Sequence, residues 1–150
     1  MKPAVDDVHG AIAQLQRLAD LFQQRRLQLA QSAGLTEQQW RVLDEVASEH
    51  FMPSMFARDR ESTAAAVSRI IRQLLDKKLI SVSVSPNDGR QRRYVLTARG
   101  TKTLDALRAS RRDAIDSVWM DLDATALRAF TRFSATLVER LAAYATRRPG

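Results

Sequence analysis

The chain has 150 residues, 45% of them hydrophobic, and carries 24 Lys and Arg against 17 Asp and Glu, a net charge of +7. That is one domain's worth of chain with enough apolar residues for a core, which argues against disorder. Cys is absent, so disulfides, thiolate metal sites and cysteine nucleophiles are excluded. The first residues, MKPAVDDVHG, lack the apolar run of a signal peptide, and no apolar stretch approaches a membrane span, so a cytoplasmic protein with no membrane association is expected.

In chain order, the spacing predicts a long helix over residues 4–33. Val5, Val8, Ile12, Leu15, Ala19 and Phe22 recur at steps of three and four. The stripe is narrow, closer to a seam for a partner helix than to a core face. Gly34 suits its end. A second helix follows in LTEQQWRVLDEVAS, where Thr36 and Gln39 fit a capping box and Trp40, Leu43 and Val46 or Ala47 make the inner face. MPSMFARDR reads as a third, short helix with Pro53 in its first turn. A fourth starts at Ser62 or Thr63 and runs through AAAVSRIIRQLLDKKL. ISVSVS alternates as a strand, with Ile80, Val82 and Val84 on one side. The turn PNDG and a second strand, RYVL, complete a hairpin. Thr97 can cap a fifth helix reaching about Leu122, with Leu104, Leu107, Ile115, Val118 and Trp119 apolar. DLDAT breaks it. A sixth spans 124–145, with Leu127, Phe130, Phe133, Leu137, Leu141 and Tyr144 on one face. The fold class is therefore mainly α, in the order α-α-α-α-β-β-α-α, and its middle is a winged helix-turn-helix with the hairpin as wing.

Charge is distributed unevenly along this order. Residues 1–50 hold five Lys and Arg against seven acids, residues 51–100 ten against four, and residues 101–150 nine against six. A basic middle between less basic ends is the footprint of a polyanion-binding module inside a scaffold.

The fourth helix passes a simple test for DNA reading. With Val67 at zero and 100° per residue, Ile70, Ile71 and Leu74 fall at about 300°, 40° and 340°, one compact apolar face. Ala65, Arg69 and Arg72 fall at about 160°, 200° and 140°, with Ser62 and Gln73 flanking at about 220° and 240°. Small residues at the N-terminal end let the backbone approach bases. Arg can grip guanine O6 and N7, and Gln can do the same for adenine. The hydroxyls of Ser62 and Thr63, with the free N–H groups of the first turn, suit a phosphate. The competing reading is a solvated helix face with ordinary i,i+4 charges such as Arg72 and Asp76.

The wing adds Arg90, Arg92 and Arg93 at its tip, long enough to enter a minor groove. Asp88 has two readings that stand together, a carboxylate brace for a neighbouring guanidinium and a turn former before Gly89.

These residues resemble the MarR family of bacterial transcription regulators. The resemblance lies in Leu35, Thr36 and Trp40, then Val67, Ser68 and Arg69, then Asp88 and Arg90, and finally Leu96, Thr97 and Gly100. It spans residues 35–100 by motif, and the flanking helices fit the plan. It implies a single MarR-like domain over 1–150, with a DNA-binding lobe at 35–100 and dimerisation helices at 4–33 and 101–146. It implies a homodimer on a pseudo-palindromic DNA operator, recognition helices in the major groove and wings in the minor groove. It also implies, for many members, release from DNA by a small phenolic or aromatic acid. The DNA-binding set is Ser62, Thr63, Ala65, Ser68, Arg69, Arg72, Gln73, Asp88, Arg90 and Arg92. Three positions depart from the family pattern. Arg60 and Glu61 replace an apolar residue and a glycine in the helix-turn-helix turn, and Lys78 replaces the glycine that ends the recognition helix.

An effector would need its own residues. Arg26 falls on the apolar stripe of the first helix, where a cation needs a partner, either an acid across the dimer or an anionic ligand. His9, Trp40 and His50 complete the candidate ligand set, each with a structural reading beside it. The two His share no metal-ligand spacing, so no metal and no cofactor are expected. No nucleophile–base pairing, glycine-rich phosphate loop or metal cluster points to an enzyme. A site-specific repressor and an architectural DNA-binding protein without effector remain the two leading readings. A protein-interaction dimer without DNA binding stands behind them, because Arg69 and Arg90 are in place.

Overall fold

In the computed structural model, which describes residues 1–48, 51–60, 62–84 and 92–147, the elements follow the expected order. They are α1 (Val5–Ser32), α2 (Glu37–Ala47), α3 (Pro53–Asp59), α4 (Ala64–Asp76), β1 (Ile80–Val84), β2 (Arg92–Leu96), α5 (Ala98–Val118) and α6 (Ala124–Arg147). The chain divides into two compact units, Met1–Ser110 and Arg111–Gly150.

The first unit holds the core. Val42, Leu43 and Val46 of α2 meet Val67, Ile70, Ile71 and Leu74 of α4, with Leu79, Ile80, Leu104 and Leu107 closing around them. Leu29 and Ala30, at the end of α1, are buried in the same cluster. The core therefore draws on residues either side of the 35–100 stretch that carries the motifs. Fully burying each Val, Leu or Ile side chain here contributes about 1.5–3 kcal/mol.

Two helix ends in this unit use the same device. At the end of α1, Leu35 N–H donates to Ala30 O (2.9 Å) and Gly34 N–H to Gln31 O (3.0 Å), with Gly34 at φ 70°. At the end of α4, Leu79 N–H donates to Leu74 O (3.0 Å) and Lys78 N–H to Leu75 O (2.9 Å), with Lys78 at φ 58°. Both are Schellman motifs, which need a left-handed residue just past the helix. In α1 that residue is glycine. In α4 it is Lys78, so the sequence departure at 78 leaves the backbone shape intact but strained.

The hairpin is antiparallel, with Ile80 opposite Leu96, Val82 opposite Tyr94 and Val84 opposite Arg92. Alternation put Ile80, Val82 and Val84 on one side, yet only Ile80 is buried; Val82 and Val84 are 44% and 55% exposed. The strand anchors at its base and then runs out past the core, so its outer valines have nothing of this unit to cover them.

The base of the hairpin is locked to α5. Thr97 N–H donates to Leu79 O (3.1 Å), and Thr97 Oγ1 donates to Lys78 O (2.7 Å) while accepting from Gly100 N–H (3.0 Å). One hydroxyl thus caps α5 and ties it to the turn after α4. Gly100 is buried against this turn; a Cβ there would stand 2.0 Å from Leu79 O.

In the second unit, α6 buries no residue, and Phe130, Phe133, Val138, Leu141 and Tyr144 are exposed. The expected extension of α5 to Leu122 is corrected here: the helix ends at Val118. Leu122 N–H turns back to Trp119 O (3.1 Å), and Asp123 Oδ2 accepts from Ala126 N–H (2.8 Å), starting α6. The N-cap chemistry of Asp123 requires extended backbone at that position, so the preceding helix must unwind before it.

Candidate nucleic-acid interface

α4 is two-faced because its sequence is. Val67, Ile70, Ile71 and Leu74 are buried, and Ala65, Ser68, Arg69, Arg72 and Gln73 on the other side are exposed. Thr63 starts the helix, its Oγ1 accepting from Ala66 N–H (3.0 Å). That bond leaves the hydroxyl proton of Thr63 and the first N–H groups of α4 pointing off the helix end, where an anion fits. Ser62 is half-buried, its N–H donating to Ala57 O (2.8 Å). Arg69 and Arg72 make none of the ion pairs formed among the described residues, so the Arg72–Asp76 pair of the competing reading does not form. A surface pair of that kind is worth only about 0.3–0.5 kcal/mol, too little to hold two long side chains together.

Gln73 differs from its neighbours. Its Oε1 accepts from Gln39 Nε2 (2.9 Å). Gln39 is the buried polar side chain of the core, and its Oε1 accepts from Thr36 N–H (3.1 Å) and from Lys77 Nζ (2.9 Å). Lys77 Nζ also donates to Gly34 O (2.6 Å). The capping box of α2 is thus extended into a network that pins the C-terminal end of α4 to the α1–α2 turn. Gln39 was legible only as a capping residue. Its meeting with Lys77 needs the crossing of α2 and α4, which local spacing does not encode.

Four further contacts fix the other side of the lobe. The Arg60 guanidinium lies over the Phe56 ring (5.8 Å) and reaches Glu45 (3.8 Å). Phe51 makes edge-to-face contacts with Phe56 (5.8 Å) and with Tyr94 of β2 (6.0 Å). Arg60, which replaces an apolar residue of the family pattern, therefore still covers an aromatic surface with its flat face. Arg92 and Arg93 are exposed on β2, opposite Val84 and Ser83. Asp88 and Arg90 lie outside the described residues, as does His50.

Of the candidate ligand set, His9, Arg26 and Trp40 lie among the described residues. Arg26 points to its own chain, its guanidinium meeting Glu37 Oε1 at 3.3 Å, so neither an acid across a dimer nor a ligand is needed to satisfy it. Gln23 and Arg41 reach the same carboxylate at 2.8 and 2.7 Å. Partial burial pushes the Glu37 carboxyl up, but hydrogen bonds from Gln23, Arg41 and Arg26 together outweigh it and hold the pKa below its ordinary 4.5. His9 is exposed on α1 and stands 17 residues before Arg26, about 25 Å along the helix axis. Trp40 is half-buried against the core, as its alignment with Leu43 and Val46 implied. Among the described residues no group of His, Asp and Glu could hold a metal ion, and no helix is long and apolar enough to cross a membrane.

A two-faced helix, a cap with spare donors and a basic two-stranded wing define a winged helix-turn-helix chain. The model of the MarR family matches residues 33–91, from the α1–α2 turn to the wing. Among solved structures, a MarR family transcription regulator, SP03579, superposes with a TM-score of 0.82 at 19% identity, covering 95% of each chain. YusO from Bacillus subtilis gives 0.71 at 23% identity over 91% of this chain and 99% of that one. S. aureus MepR in a complex with DNA gives 0.66 at 20% identity over 87% and 93%. No curated protein matches in sequence. At these identities the superpositions establish the fold, and over residues 33–91 the chain is similar to the MarR family.

Proposed function

We propose that the chain is a sequence-specific DNA-binding transcriptional regulator that acts as a homodimer on a pseudo-palindromic operator. The observation that carries this reading is α4 itself: four apolar residues hold it in the core while Arg69 and Arg72 stand exposed and uncommitted to any ion pair among the described residues. Arg69 and Arg72 supply guanine or phosphate contacts, Ala65 and Ser68 permit close approach, and Ser62 and Thr63 meet a phosphate. Arg92 and, from the wing tip, Arg90 enter the neighbouring minor groove, with Asp88 orienting them. The DNA complex of the similarly folded MepR supports the same use of this fold.

Dimerisation is supported by the apolar residues that α1 and α6 leave uncovered, including Val5, Ile12, Phe133 and Leu141. Repression relieved by a small aromatic or phenolic acid follows from the family resemblance. With Arg26 satisfied by Glu37, the effector would have to use other groups than the charge on α1.

The test is binding of the purified protein to DNA from upstream of its own gene against a scrambled duplex, at two salt concentrations. A preference of about 10³ or more that persists at higher salt marks base readout. Equal collapse on both duplexes would leave backbone attraction alone and make the chain an architectural protein. Arg69→Ala should reduce the preference more than the total affinity, and Arg90→Ala should weaken binding by about 1–3 kcal/mol.

A further inference from the structure

The end of α4 is tied to α1 through a run of directly bonded groups. On the α1 side, Gln23 and Arg26 donate to Glu37, the first residue of α2, at 2.8 and 3.3 Å. On the α4 side, the Lys77 ammonium donates to Gly34 O (2.6 Å), in the turn between α1 and α2, and to Gln39 Oε1 (2.9 Å). Gln39 is itself buried, accepting from Thr36 N–H (3.1 Å) and donating to Gln73 Oε1 (2.9 Å). Leu29, Ala30 and Leu35 on one side of these bonds, and Leu74 and Leu79 on the other, are core residues. Lys77 also stands away from the reading side of α4. On the wheel with Val67 at zero it falls at about 280°, beside Ile70 at about 300° and about 80° from Arg69. It is half-buried, whereas Arg69, Arg72 and Gln73 are exposed, and two of its three N–H donors are used inside the lobe.

We propose that Lys77 is a positioning residue, a strut that sets the angle of α4 against α1 and thereby the half-site spacing the protein accepts on DNA. In a two-fold dimer each recognition helix is placed relative to its copy by whatever holds it to the dimerisation helices. α1 carries Val5 and Ile12, uncovered apolar residues of the dimer reading. The angle between α1 and α4 then acts twice across the two-fold axis and fixes the separation of the two recognition helices. One base pair more or less between half-sites changes the separation required by about 3.4 Å and turns one half-site by about 35°. A lysine that served only as a phosphate contact would instead add attraction that is uniform across sequences and salt-dependent. This inference rests on the DNA-binding and homodimer readings above and names the residue through which spacing is set.

The experiment measures binding of the full chain, by fluorescence anisotropy, to four duplexes at two salt concentrations. They are its preferred upstream duplex, that duplex with one base pair added or removed between the half-sites, and a scrambled duplex. Lys77→Met keeps most of the apolar stem and removes the ammonium with both its bonds. It should lower the ratio of affinities for native over shifted spacing by about 3–10-fold, the range of one hydrogen bond. The slope of log affinity against log salt should stay as in the wild type. A slope reduced by about 0.9 per chain would make Lys77 a phosphate contact and overturn the inference. An unchanged ratio, or an equal loss on every duplex, would overturn it as well, since partial unfolding weakens all duplexes alike. Circular dichroism establishes that the variant is folded. If Lys77→Met does not fold, Glu37→Gln decides, because it loosens the α1 end of the same run: the ratio should fall by about 2–5-fold, the range of an exposed ion pair, and an unchanged ratio overturns the inference. A wild type that prefers its own duplex to the scrambled one yet binds every spacing alike would overturn the inference and leave sequence-specific binding standing. Failure of the wild type to distinguish its own duplex from the scrambled one would overturn both.

Discussion

Gly100 offers the sharpest test of how the wing is joined to the lobe. An alanine Cβ there would stand 2.0 Å from Leu79 O and 3.0 Å from Leu79 C, both backbone atoms with no rotamer to yield. Ordinary contact begins at 3.4 Å, so α5 or the turn must retreat by about 1.4 Å. That movement stretches the bonds from Thr97 N–H to Leu79 O (3.1 Å) and from Thr97 Oγ1 to Lys78 O (2.7 Å). It also opens the seat of Leu104 and Leu107, both essentially buried. Overpacking of this kind costs about 1–3 kcal/mol and each weakened hydrogen bond about 0.5–1.5 kcal/mol. Replacing a helical glycine by alanine returns about 0.5–1 kcal/mol. The expected net loss for Gly100→Ala is about 2–4 kcal/mol, or a fall in Tm of roughly 4–16 °C for a chain of this size. Gly10→Ala, in an open stretch of α1 with nothing within 4 Å of its added Cβ, is the control and should gain about 0.5–1 kcal/mol. Both are read by thermal and urea unfolding followed at 222 nm, at one fixed protein concentration because association stabilises. Gly100→Ala unfolding within about 0.5 kcal/mol of the parent, a surface-substitution effect, would refute the close approach.

Four further outcomes are expected. Lys78→Gly relieves the left-handed strain at φ 58° and should raise stability by up to about 1 kcal/mol in urea unfolding; a loss would mean the lysine side chain contributes more than the strain costs. Thr97→Val removes both the α5 cap and the tie to Lys78 O, and should cost about 1–2 kcal/mol; Thr97→Ser, which keeps the hydroxyl, should recover most of it. Glu37 has its folded pKa held below 4.5, so its stabilising contribution is complete above that value and is lost as pH falls through the lowered pKa. Glu37→Gln should therefore flatten the unfolding free energy measured between about pH 5 and pH 3, and an unchanged acid limb would sink the assignment. Phe133→Glu puts a charge on the exposed face of α6 and should shift sedimentation toward the monomer, with parallel loss of DNA binding; an unaltered assembly would place the dimer contact elsewhere.

Much of this architecture is local. The capping box at Thr36 and Gln39, the proline start of α3, the two-faced α4 and the paired strands each follow from neighbours within a few residues, and each appears in the structure, whereas the expected in–out alternation of β1 does not. The basic segment and the apolar side of α4 were legible for the same reason: helical periodicity carries them directly. The end of α5 at Val118 was also local, but periodicity continued past it and hid the stronger capping claim of Asp123.

What the sequence by itself determined is therefore the list of elements, the side of α4 left free for contact, and the class of partner its charge suits. What only the tertiary structure decided is pairing between elements distant in sequence. Arg26 finds Glu37, Gln39 finds Gln73 and Lys77, and Thr97 finds Lys78. Side-chain type and spacing say that such groups need partners, because an unpaired polar group out of water is costly. They do not say which partner, since that depends on how helices cross.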